Sequence, residues 1–165
     1  MPDKQTLARA RADQREGKSA STQAGEFIKE EIDHIREGVH GARSTKQAIA
    51  IGLSKARRAG VKLPPPASGK ASDATRKQAA RDLAKGRAGP TQSSSAKRSH
   101  ASLDALKHEG SEAASPRALA GHARAASAAR SPAERSASAQ KASRTKGAAG
   151  RSAAAAKAAH TRSSH

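Results

Sequence analysis

The chain has 165 residues, and 32 lysines and arginines stand against 14 aspartates and glutamates, for a formal charge of +18. This excess requires a polyanionic partner or many counterions. Nucleic acid is the expected partner, because each neutralised phosphate releases condensed counterions, and an anionic membrane surface is the alternative. The sequence has no cysteine, which excludes disulfides, thiolate metal sites and cysteine nucleophiles.

Large apolar residues are scarce. Leu, Ile, Val and Phe number 15 of 165, far below the level of about one fifth under which a highly charged chain is expected to be disordered. Eleven of these 15 lie in residues 1–63, and three prolines at 64–66 end any helix there. We therefore predict a mainly α protein, in which a small helical head over residues 1–63 is followed by an intrinsically disordered basic tail, rich in Ala, Ser and Arg, over residues 64–165.

The sequence signals for the first two predicted helices differ in strength. The first, Gln5–Glu16, carries Leu7 as its one large apolar residue, so its place in a core is doubtful. The second, Gln23–Glu37, is the clearest helix in the chain, because apolar residues recur at spacings of four, three and four beside Phe27. This apolar stripe consists of Phe27, Ile28, Ile32, Ile35 and Val39.

The third predicted helix begins at a capping box, in which Ser44 and Gln47 satisfy each other's free backbone amides. It runs to about Ala59 and carries Ile49 and Leu53 on its apolar face. Together the helices form a hairpin of two to three helices. About eight buried side chains at about 2 kcal/mol each do not offset an ordering cost of about 1 to 2 kcal/mol per residue.

This shortfall predicts that the hairpin gains stability from a homodimer, from a bound target, or from both. The apolar residues of the two stronger helices then form the partner or dimer face. They are Phe27, Ile28, Ile32, Ile35, Val39, Ile49 and Leu53.

Three stretches of the head, Ser21–Phe27, His34–Gly38 and Gly41–Gly60, resemble a family of small basic bacterial proteins that is a domain of unknown function. The resemblance covers roughly the first 65 residues. Members of this family are sometimes labelled DNA-binding or plasmid-stabilisation proteins. The resemblance therefore implies a bacterial source more strongly than an activity.

Basic residues cluster on and around the third predicted helix, and they form the expected nucleic-acid contact set. The set is Arg43, Lys46, Gln47, Lys55, Arg57, Arg58 and Lys62. One alternative is an ordinary solvated helix face, and another is a helix-turn-helix reader with Thr45 to Gln47 in the major groove. Phe27 is the only aromatic residue, which disfavours base stacking on single strands. We expect contacts to the backbone of a duplex, and favour DNA over RNA.

Glu31 and His34 match the Glu-x-x-His spacing that places two metal ligands on one helical face in carboxylate-bridged di-metal proteins. Such sites need further inward carboxylates from a four-helix bundle, which the sequence does not provide. We therefore interpret Glu31 as part of a solvated acidic face, and we expect neither a metal nor another cofactor.

The sequence offers no apolar walls for a catalytic pocket and no glycine-rich loop to cradle a phosphate. We therefore expect a non-enzymatic protein that coats DNA with low sequence specificity, located in the cytoplasm at the bacterial nucleoid. It has no small-molecule substrate and does not insert into membranes. The alternative is a protein-interaction module, whose apolar stripe binds a partner helix while the disordered tail keeps the protein in solution.

Overall fold

The computed structural model describes residues 2–89 and 96–163. Within these residues the chain forms helices joined by loops and turns, with no strand. The chain divides into two compact units, Met1–His122 and Ala123–His165. The division predicted after residue 63 lies inside the first unit. The helices are α1 Lys4–Arg15, α2 Ala20–Arg36, α3 Thr45–Arg58, α4 Asp73–Ala88, α5 Ala96–Lys107, a 3₁₀ turn at Glu112–Ala114, α6 Pro116–Ala128 and α7 Pro132–Ser163.

The three predicted head helices are confirmed as α1, α2 and α3, with differences at their ends. Helix α2 begins three residues earlier than predicted, because Ser19 caps it by accepting a hydrogen bond from the Thr22 amide. The Ser44 cap of α3 is confirmed, and its hydroxyl accepts from the Gln47 amide at 3.2 Å. The reciprocal bond differs by one residue, since the Gln47 side chain accepts from the Arg43 amide at 2.9 Å.

The predicted disorder of the tail is wrong. Beyond the prolines the chain forms α4, which packs on α3 and buries Ala79 and Asp82. A β-carbon at Gly86 would lie 1.9 Å from the carbonyl oxygen of Arg57, so the two helices approach each other at backbone distance. The absence of a side chain at Gly86 makes this close packing possible.

The segment around the 3₁₀ turn closes one core of the first unit. Ala113 and Ala114 are buried there, and the Thr45 hydroxyl donates a hydrogen bond of 2.7 Å to the Ala113 carbonyl. Leu119 packs against the same cluster. The buried residues of this core are Ile32, Ile35, Ala42, Ala48, Ala113 and Ala114. Residues of the predicted tail thus supply burial that residues 1–63 lack.

A second core joins α1 to α2 and α3, so the first helix has a definite place. Ala10 of α1 is buried in it, with Leu7 packed against its edge. Phe27 is its largest member. The buried residues of this core are Ala10, Ala24, Phe27, Ala56 and Val61.

The second unit consists of the last residues of α6 and the whole of α7, and none of its described residues is buried. Helix α7 begins with Pro132, whose fixed φ suits the first helical position. Ser131 and Glu134 form a capping box, in which each side chain accepts a hydrogen bond from the other's amide, at 3.2 and 2.8 Å. The helix is interrupted at Gly147, where φ is 66°.

Candidate functional site

The predicted nucleic-acid contact set is only partly exposed. Arg43, Lys46 and Lys62 are exposed to solvent. Gln47 is half-buried, and its side chain is engaged with the Arg43 amide. The structure therefore leaves these three cations of the set available for an external phosphate, and a fourth, Arg58, is also exposed but pairs with Asp82.

The other three cations of the set make contacts within the chain. Arg57 is buried and donates hydrogen bonds to the carbonyl oxygens of Leu63 at 3.1 Å and Pro64 at 3.3 Å, and burial lowers its pKa. Arg58 lies 3.5 Å from the Asp82 carboxylate. Lys55 contacts two carboxylates of α2, described below. These side chains tie α3 to its neighbours.

A row of exposed cations lies on α4. Lys77, Arg81 and Lys85 follow one another at intervals of four residues, so they share one face of the helix about 6 Å apart. Two acidic residues lie on α4: Asp82, which is buried and accepts a hydrogen bond from Ser54, and Asp73, which is exposed, lies four residues before Lys77 and pairs with Arg76. The four-residue spacing is visible in the sequence, but it has no meaning in a segment treated as disordered.

The second unit has the highest ratio of basic to acidic residues. Residues 123–165 contain nine lysines and arginines against one acidic residue, Glu134. The basic residues whose side chains the structure describes are all exposed: Arg124, Arg130, Arg135, Lys141, Arg144, Arg151, Lys157 and Arg162. No apolar stripe divides these residues, so cations project from several sides of α7.

The apolar stripe proposed as a partner face packs mostly inside the chain. Phe27 and Ile35 are 1% and 0% exposed, and Ile32 is also buried. Val39 is the exception, at 49% exposure. Ile28, the remaining member, is half-buried, and so are Ile49 and Leu53, which complete the predicted partner or dimer face.

The interpretation of Glu31 as part of a solvated acidic face is wrong, because Glu30 and Glu31 are buried between α2, α3 and the loop that follows α2. Lys55 Nζ lies 2.6 Å from Glu31 Oε2 and 3.6 Å from Glu30 Oε1. His40 Nε2 lies 3.3 Å from Glu31 Oε1. The sequence pairing of Glu31 with His34 did not include His40, because His40 lies outside the helix and reaches Glu31 only after the chain reverses.

The surface beside this cluster is a polar, open groove between α1 and α2, lined by Asp3, Arg9, Asp33 and Glu37 among others. Such a groove lacks the apolar walls of a typical small-molecule site. Within residues 2–89 and 96–163, no helix has the length and apolar character needed to cross a membrane.

Residues 15–67 match the model of a family described as a family of unknown function (DUF6496). The matched segment contains α2, α3 and the three prolines. This match confirms the resemblance to a domain of unknown function over that part of the chain. Comparison with curated proteins and with solved structures gave no match.

Proposed function

We propose that this chain is a non-enzymatic protein that binds nucleic acid, preferably duplex DNA, through contacts to phosphates and with low sequence specificity. The observation that carries the proposal is the exposure of the cations in the second unit, where nine basic residues stand against one acidic residue. Exposed cations without an apolar face or a shaped pocket match the phosphate backbone and do not read base edges.

The first unit adds the α4 row of Lys77, Arg81 and Lys85, together with the exposed Arg43, Lys46 and Lys62. Lys55 and Arg57 are assigned to the fold and not to the interface, and so is Arg58, which is exposed but pairs with Asp82. Burial of Phe27 and Ile35 favours this function over docking of a partner helix on the apolar stripe, because a partner would have to displace the chain's own core.

The test compares two triple variants that remove the same charge. Arg130→Gln, Arg144→Gln and Lys157→Gln change exposed cations of the second unit, whereas Lys4→Gln, Arg11→Gln and Arg15→Gln change exposed cations of α1, outside the proposed interface. Binding to a fluorescent duplex is measured across a series of salt concentrations. Each lost phosphate contact lowers the logarithmic salt slope by about 0.9, so the first variant is expected to lose about 2.7.

The α1 variant is expected to keep a slope close to that of the unmodified protein, because the three cations that it changes lie outside the proposed interface. A third variant, with Lys77, Arg81 and Lys85 all changed to Gln, is expected to lose slope as the second-unit variant does. Equal losses in the α1 and second-unit variants would show that only net charge matters. An unchanged slope in both the second-unit and α4 variants would refute the proposed interface.

A further inference from the structure

The buried cluster around Glu31 takes no part in the proposed phosphate contacts, which need exposed cations. The Glu31 carboxylate is 0% exposed, and removing such a charge from water costs several kcal/mol unless other groups compensate. Within the described part of the chain, neither Glu31 oxygen accepts a hydrogen bond. Lys55 Nζ, at 2.6 Å, makes an ion pair with Oε2 without the angle of a hydrogen bond. Oε1 faces the ring of His40 instead.

Two elements bring three potential ligands together. Glu31 and His34 lie three residues apart on α2 and therefore on the same face. Gly38, with φ of 73°, reverses the chain after α2, and the Val39 amide donates to the His34 carbonyl at 3.0 Å. His40 thus returns to the helix it has just left. One ligand atom from each of Glu31, His34 and His40 lies within 4.8 Å of the others.

The orientation of the His40 ring is fixed by its other nitrogen. Nδ1 lies 3.1 Å from the carbonyl oxygen of Gly41, and because a carbonyl only accepts, Nδ1 carries the proton. His40 Nε2, the other ring nitrogen, faces Glu31 Oε1, 3.3 Å away. Two ligand atoms this close are held together by a cation between them, which is either a proton or a metal ion. Metal-binding histidines typically donate their second ring N–H to a carbonyl in this manner.

The loop that carries His40 is held in place by the segment after α5. The Gly41 amide donates to the Leu106 carbonyl at 2.9 Å, and the Ala42 amide donates to the Gly110 carbonyl at 3.1 Å. A β-carbon at Gly41 would lie 1.8 Å from the Glu109 carbonyl oxygen, so only glycine permits this approach. The ligand position therefore depends on residues that are far away in the sequence.

We propose that Glu31, His34 and His40 form a binding site for a divalent transition-metal ion of the zinc class. Two imidazole nitrogens and one carboxylate oxygen suit such an ion better than Mg²⁺ or Ca²⁺, which prefer oxygen ligands alone. Zinc bonds of about 2.0 to 2.2 Å place tetrahedral ligands about 3.3 Å apart, which is the separation of His40 Nε2 from Glu31 Oε1. His34 completes the set after a side-chain rotation.

The charges around the site favour a dication. Asp3, Glu30 and Glu31 supply three carboxylates, and Lys55 is the cation in contact with two of them. Their net charge of about −2 is neutralised by one divalent ion. His34 Nε2 also lies 3.5 Å from the Asp3 carboxylate, a contact of the kind that orients ligating histidines. The ion joins α2 to the loop after it and stabilises the folded state over the unfolded chain.

The test uses the purified full-length protein and zinc chloride, with affinity measured by competition against a chromophoric chelator. We expect one equivalent to bind, and both His34→Gln and His40→Gln to bind at least about 10-fold more weakly. His108→Gln changes an exposed histidine outside the cluster and is expected to leave the affinity unchanged. Zinc should also raise the melting temperature of the unmodified protein but not of His34→Gln.

A second measurement needs no variant. Imidazole nitrogen NMR signals of the unmodified protein are followed during zinc addition, and those of His34 and His40 are expected to shift while those of His100 and His108 do not. A proton between His40 and Glu31 is the rival occupant, and it predicts no such selective shift. Zinc that binds the unmodified protein no more tightly than the two cluster variants, or that shifts all histidine signals alike, would overturn the proposal.

Discussion

Substitution of Gly86 by alanine tests whether α4 packs on α3 at backbone distance. In an open helix this change stabilises by about 1 kcal/mol, because alanine is the better helix former. Here the added β-carbon would lie 1.9 Å from the Arg57 carbonyl oxygen and 3.2 Å from the Gly60 nitrogen. Since non-bonded contacts are favourable only beyond about 3.5 Å, the helices have to separate by more than 1 Å. We expect a net destabilisation of about 1 to 3 kcal/mol.

The assay is thermal unfolding followed by circular dichroism, in which about 1 kcal/mol corresponds to about 2 to 4 °C for a protein of this size. Gly121→Ala is the matched control, because it lies inside α6 with nothing within 4 Å of an added β-carbon. We expect that control to leave stability unchanged or to raise it by up to about 1 kcal/mol. A stabilising Gly86→Ala would refute the close packing, because it would show that α4 lies free of α3.

Two further substitutions test contacts within the first unit. Lys55→Met removes the cation beside Glu31 and leaves a buried carboxylate uncompensated. The free energy of unfolding, measured in urea, should fall by about 3 kcal/mol. An unchanged midpoint would show that Glu31 is not buried as a charge. Ser44→Ala removes the cap that accepts from the Gln47 amide, which should cost about 1 kcal/mol in the same assay, whereas Ser68→Ala at an exposed loop position should cost nothing.

The head helices could be predicted from the sequence because their signals are local. The stripe from Phe27 to Val39 has the period of a helix, and the Ser44 box marks a start. The Gln47 side chain accepts from the Arg43 amide, one residue before the predicted Ser44 amide. Such signals do not specify what covers an apolar face. We expected a second molecule to cover Phe27 and Ile35, but other parts of the same chain bury them.

The packing of residues 64–122 could not be predicted, because it relies little on large apolar side chains, although Leu119 contacts the core. It depends on small residues such as Gly86 and Ala114, and on hydrogen bonds to distant carbonyl groups, such as that from Arg36 to Ala114 at 3.0 Å. A count of Leu, Ile, Val and Phe does not detect either kind of contact. The buried carboxylate cluster was missed for a related reason, since His40 meets Glu31 only through the turn at Gly38.

The most direct test of the proposed function is binding of the full-length protein to two unrelated DNA duplexes of equal length across a salt series. We expect both duplexes to give the same affinity and the same steep logarithmic slope, at about 0.9 for each phosphate neutralised. Little binding near physiological salt, or a strong preference for one sequence, would contradict a protein that coats DNA through its exposed cations.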